Sequence, residues 1–102
     1  MKGAIASVEI YAFGSDPSPR RLTLTIAAPT RTGSVGEPSA WECRVVLADL
    51  HRPEAVHGED SVEALERGLA LARRWVADLR AQGLRLARDR AGERRLDLFP
   101  SP

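Results

Sequence analysis

The 102-residue chain carries 43% hydrophobic and 28% charged residues at a net charge of +1, the balance of a globular domain rather than a disordered or membrane-embedded one. That length holds one hydrophobic core and not two, so residues 1–102 read as a single domain. No apolar run nears the roughly 20 residues of a membrane helix; Glu9 interrupts any signal-peptide core and Cys43 stands alone, so no internal disulfide, no membrane partner and a cytoplasmic location are expected.

Residues 4–13 alternate, with Ala4, Ala6, Val8, Ile10 and Ala12 on one side against Ser7 and Glu9 on the other, which predicts a half-buried strand. Glycine, aspartate and two prolines over 14–19 predict a turn. Leu22, Leu24 and Ile26 against Thr23 and Thr25 predict a second strand over 20–28 and complete a hairpin. Residues 29–39 hold two glycines and two prolines and are expected to form a long mobile loop. Trp41, Cys43, Val45 and Leu47 alternate with Glu42 and Arg44 in a third strand over 40–50. Its second half, Val45 to Ala48, is apolar on both sides, which predicts cover on both faces. Ala55 to His57 reads as a short extended piece leading into a helix.

Asp60 is placed to cap that helix, and Glu63, three residues on, completes the box. The helix is expected over 61–82, with Gly83 ending it in the left-handed region. Val62, Leu65, Leu69, Ala72, Val76 and Leu79 form the main apolar stripe, and Gly68, Leu71 and Trp75 fall beside it. The apolar arc then covers about half the circumference, more than one sheet face needs. Gly68, about 1 kcal/mol worse than alanine inside a helix, marks an expected close crossing of helix and sheet. Leu84 and Leu86, a turn at 89–93, then Leu96 and Leu98 predict a second hairpin. The expected fold is α+β in β-β-β-α-β-β order, an antiparallel sheet of three to five strands with the long helix packed across one face.

The surplus apolar arc makes Leu71 and Trp75 the candidate interface, for a homodimer or a protein partner. Residues 73–95 hold eight arginines against three acidic residues, a local charge of +5 that leaves −4 elsewhere. Arg85, Arg88, Arg90, Arg94 and Arg95 are the candidate basic patch. Arg73, Arg74 and Arg80 point in different directions around the helix, and beyond Trp75 no aromatic residue but Phe99 is at hand for base stacking, so nucleic-acid binding through 73–95 ranks below a solvated surface. Every basic residue except Lys2 is arginine and asparagine is absent, the composition of a GC-rich bacterial coding sequence. Cys43, Asp49, His51 and His57 are zinc-ligand types, but Cys-x7-His-x5-His lacks the paired short spacing of metal sites. No metal or other cofactor is expected. Cys43 reads instead as a small buried hydrophobe.

Two resemblances bear on the segment from Gly58 onward. Gly58-Glu59-Asp60-Ser61 resembles the attachment site of acyl carrier proteins, which implies a modifiable Ser61; three strands ahead of it, and Val62 where leucine is common, rank that below simple capping. Trp41-x-Cys43 on a strand, Gly58-Glu59-Asp60-Ser61-Val62-Glu63-Ala64-Leu65 opening a long helix, and Phe99-Pro100 are together similar to a family of small uncharacterised bacterial α+β proteins, a domain of unknown function. The likeness covers roughly residues 20–100. That family commonly has glutamine where this chain has Glu63, and a shorter 29–39 loop. It implies the fold and no chemistry. With no nucleophile paired to a base, the expected function is a non-enzymatic protein-interaction module of the bacterial cytoplasm, immunity- or adaptor-like. The alternative is a small ligand-binding protein or enzyme subunit using residues 51–60, from His51 to Asp60.

Overall fold

Alternating apolar and polar residues carry β1 (Ala4–Phe13) and β2 (Arg20–Ala27) into an antiparallel hairpin in a computed structural model that describes residues 3–34, 38 and 40–99. Register pairs Ile10 with Leu22 and Val8 with Leu24 on an inner, core-facing side, while Ser7 faces Thr25 on the outer side. Two residues of β3 (Thr30–Arg31) follow, then β4 (Trp41–Ala48) and β5 (Glu54–Gly58). β4 pairs β2 through Val45–Ala48 and β3 through Trp41 and Glu42, and β5 along Trp41–Val45. Since Trp41, Glu42 and Val45 each have two partners, β2 and β3 share one edge of β4 and β5 holds the other. Helix α1 (Ser61–Ala81) returns the chain so that β6 (Arg85–Ala87) pairs antiparallel with Tyr11–Phe13 of β1.

The class is α+β as expected, but the order is β-β-β-β-β-α-β. β3 arises because the Thr32 and Gly33 N–H groups donate to the Ala40 carbonyl, at 2.7 and 3.1 Å, which holds Thr30 and Arg31 antiparallel to the start of β4. The mobility expected of that segment concerns a stretch in which residues 35–37 and 39 lie outside the described residues. Beyond β6 only the bridge between Ala87 and Arg95 survives of the expected second strand. The cover expected on both faces of Val45–Ala48 exists on one: Val46 and Ala48 are half-buried on an outer face that carries no helix.

Both helix ends follow from local chemistry. The Glu63 N–H donates to Asp60 Oδ1 at 2.7 Å, and Glu63 Oε1 accepts from the Glu59 N–H, one residue ahead of the usual box partner. At the other end Gly83 has φ 85°, its N–H donates to Arg80 O and that of Leu84 to Leu79 O, the paired closure of a helix ending in a left-handed residue.

The buried face of α1 comprises Ala64, Gly68, Leu71, Ala72, Trp75, Val76 and Leu79, an arc of about 140° at about 100° per residue. It is rotated from the expected stripe: Val62 is 65% exposed and Leu69 39%. The small residues explain the rotation. A Cβ on Gly68 would lie 2.7 Å from Cys43 Sγ and 3.4 Å from Val45 Cγ2, so the helix rests its glycine directly on β4. Gly58 is equally confined, since a Cβ there would meet the Ala64 backbone N at 2.5 Å.

Gly68→Ala should therefore lower stability by about 1–3 kcal/mol through overpacking, despite the gain of about 1 kcal/mol in helix propensity. Urea denaturation of the single variant and of Gly68→Ala with Cys43→Ala measures this. The second substitution removes the clashing sulfur, so the double variant should be more stable than the sum of the two single effects.

Candidate interaction surface

Seating Gly68 on β4 places α1 over β4 and β5, with few contacts to β2. The inner face of β1 therefore lies beyond the helix, and Ala6 is exposed and Val8 half-buried there. The C-terminal segment supplies the missing cover. Arg80, in the last turn of α1, donates to the carbonyls of Leu96, Leu98 and Phe99, each at 3.0 Å. This draws Leu96 into the core and lays Leu98 and Phe99 against it. Three acceptors in an irregular segment are satisfied by one planar donor.

The cover is incomplete. A groove of about 240 Å³ remains, walled by Ala6 and Val8 of β1, Leu24 and Ile26 of β2, Leu69 of α1 and the Leu98–Phe99 segment. Its single charged lining residue is Arg88, whose side chain makes no hydrogen bond or ion pair among the described residues. Ser7 also lines the groove. Its hydroxyl meets Thr25 on the opposite face, so Ser7 reaches the groove along the strand edge. That edge is open: β6 pairs only Tyr11–Phe13, and from Ala4 to Ile10 the same side of β1 has no strand partner among the described residues. Ile5, at the register shift between Ala4 and Ala6, is 52% exposed.

Leu71 and Trp75, the expected interface, are core residues at 3% and 5% exposure. The His51 ring stacks on Trp75 with centroids 4.5 Å apart and an interplanar angle of 7°, closing its remaining side. Helix periodicity placed a surplus of apolar surface correctly in kind, but the surplus falls on Val62 and on Leu69, the latter in the groove. Trp75→Ala should thus cost about 3–5 kcal/mol of stability and leave the sedimentation coefficient of the folded protein unchanged.

The arginines of the candidate patch are mostly engaged. Arg85 lies over the Phe13 ring at 4.6 Å and donates to Gly92 O, and Arg90 lies over Tyr11 at 5.7 Å. Arg95 pairs with Asp97 at 3.5 Å, and Arg73 faces the Phe99 ring at 5.8 Å. Only their partners Tyr11 and Phe13, far away in sequence, reveal this, and no local pattern signals it. Arg94 belongs to a turn: its N–H donates to Asp89 Oδ1 at 2.8 Å and that of Glu93 to Oδ2 at 3.2 Å.

The Arg94 N–H foremost, with that of Glu93, holds the Asp89 carboxyl below its ordinary value of 3.8. The folded value is the lower one, so this turn's contribution to stability is present above pH 3.8 and lost as pH falls through the depressed value. Amide protection factors over residues 88–95, exchange rates taken relative to the intrinsic rate at each pH, should fall on acidification from about pH 5 to about pH 2.5, and Asp89→Asn should remove that dependence.

Residues 51–60 do not converge. His51 is held by Trp75, His57 Nε2 lies 3.6 Å from Glu42, and Cys43 is buried under the helix with its thiol raised by desolvation. Among the described residues no three His, Cys, Asp or Glu side chains gather to hold a metal ion. Ser61 is the first residue of α1, ahead of a helix packed on a sheet and not within a helical bundle. No helix is long and apolar enough to cross a membrane. Compared with protein-family models, curated proteins and solved structures, the chain has no significant match among any of the three.

Proposed function

We propose that the chain is a non-enzymatic protein-interaction module, immunity- or adaptor-like, that accepts an extended segment of a partner along the open edge of β1. The carrying observation is the unpaired run from Ala4 to Ile10 beside an apolar groove. Strand addition at such an edge supplies main-chain hydrogen bonds, and side-chain pockets beside it supply selectivity. Ala6 and Val8 let an added strand bury apolar side chains on the groove face, and Ile5, 52% exposed at the register shift, adds apolar surface at the same end. An arginine-dominated composition and one buried thiol suit a reducing bacterial cytoplasm. A second copy is one partner this edge accepts, so self-association runs through β1 and not through Leu71 and Trp75. Residues 51–60 and the arginines of 73–95 support the ligand-binding and nucleic-acid readings less, because His51, His57, Arg73, Arg80, Arg85, Arg90 and Arg95 are committed to internal partners.

Val8→Lys tests this, since an inward-pointing lysine is a common guard of edge strands. Val8 is half-buried, so the variant should keep its circular dichroism spectrum and a cooperative melt. Wild type and variant serve as baits against lysate of the native host, and captured proteins are identified by mass spectrometry. Capture of the partner should fall about tenfold or more in the variant, a loss of roughly 1.4 kcal/mol or more. Hydrogen exchange of the wild-type complex should show new protection at residues 4–10. Equal capture by both baits, or protection confined to another surface, overturns the reading.

A further inference from the structure

We infer that the segment received at this edge is the free C-terminus of a partner protein, with apolar side chains in the groove and its terminal carboxylate held by Arg88. This rests on the strand-addition reading and specifies its occupant. Three observations converge on it. The first is the blocked lane. β6 occupies the same side of β1 from Tyr11 to Phe13, with Ala87 opposite Tyr11. A strand added along Ala4–Ile10 meets β6 end-on there, so an internal segment must bend sharply away from the sheet, whereas a chain end can stop. The second is charge. Arg88 follows Ala87 directly, so it stands where the lane closes, and it is the one charged residue lining the groove. No acidic residue lines it, and the guanidinium has no ion-pair partner among the described residues. A planar guanidinium matches a carboxylate with two parallel hydrogen bonds.

The third is the size of the groove. Its β1 wall is Ala6 and Val8, two inward positions about 7 Å apart along a strand. That accommodates two aliphatic side chains at alternate positions. Stopping the C-terminal end short of Ile10, which the register sets opposite Arg88, fixes the direction: the partner runs parallel to β1, with its last residue beside Val8 and its third-last beside Ala6. The apolar side chains then come from the last and third-last residues, both on the inner face.

A panel of hexapeptides with valine, leucine, isoleucine or phenylalanine at the last and third-last positions, each made as free acid and as amide, tests this by fluorescence polarisation. The best acid should bind wild type about tenfold or more tightly than its amide, the factor a charge-assisted hydrogen bond supplies. Arg88→Gln should bind acid and amide alike, and Val8→Lys should bind neither. Backbone amide shifts on titration should localise to residues 4–10. Acids and amides that bind wild type equally, with binding lost in Val8→Lys, overturn the C-terminal carboxylate while leaving strand addition intact. No binding across the panel, with dimerisation through β1 by sedimentation, assigns the edge to a second copy and overturns the inference. An oligonucleotide that displaces the peptide does the same. Loss of the acid preference in Val8→Lys alone, with Arg88→Gln unchanged from wild type, also overturns it.

Discussion

The approach of the Gly68 backbone to Cys43 and Val45 decides where every other layer of the molecule lies. A strand lane is about 4.8 Å wide and a helix with its side chains about 10 Å, so one helix covers roughly two lanes. With glycine at the contact, those two lanes are β4 and β5. Ala64 and Ala72, on the same face of the helix, let its axis lie low, and Leu71, Trp75, Val76 and Leu79 complete its buried face. The position is favourable for the helix and leaves the sheet unevenly served. Beyond β2, the apolar inner side chains of β1 need another source of cover.

That source is an irregular segment, and irregular backbone brings carbonyls that need donors. Arg80 supplies them for Leu96, Leu98 and Phe99 from the last turn of the helix. Arg85 and Arg90 hold the preceding loop on the other face through Phe13 and Tyr11. The concentration of arginine near the C-terminus thus has a structural cause: a length of chain with little regular pairing is fastened to the sheet and helix by guanidinium groups. Arg88 lines the groove and is outside that set of fastenings.

The features legible in the sequence are those set by neighbours. Alternation fixed β1, β2 and β4 within two residues but neither β3 nor the fate of Leu96–Leu98; Asp60, Glu63 and Gly83 fixed the helix ends, and a glycine inside a helix announced the close crossing. Three things escaped because distant residues decide them. The helix was rotated because periodicity weighs Val62 and Leu69 above Ala64 and Gly68, whereas close packing favours the small pair. Trp75 looked surplus because its lid, His51, comes from a loop. The groove is assembled from two strands, the helix, the loop at Arg88 and the C-terminal segment, and no single stretch carries its pattern.

The two outer lanes of the sheet are treated differently, and the difference bears on what the β1 edge is for. β5 is short, follows Pro53, and has its His57 carbonyl taken by Arg67 Nη1 at 2.7 Å, so that side offers little to a passing strand. β6 is three residues long and covers only the end of β1. Between Ala4 and Ile10 the guards are few: there is no proline, the one charge, Glu9, lies on the outer face 3.8 Å from Arg21, and the register with β2 shifts only at Ala4–Ala6. Proteins ordinarily blunt such an edge because it templates unwanted pairing. Here, past the register shift at Ala4–Ala6, the edge carries an apolar groove along the inner side, with a guanidinium where the lane ends. A groove and a cation do nothing to repel a strand. On the proposed reading they narrow which strand is accepted, and that is the physical difference between an edge left unprotected and one suited to being occupied.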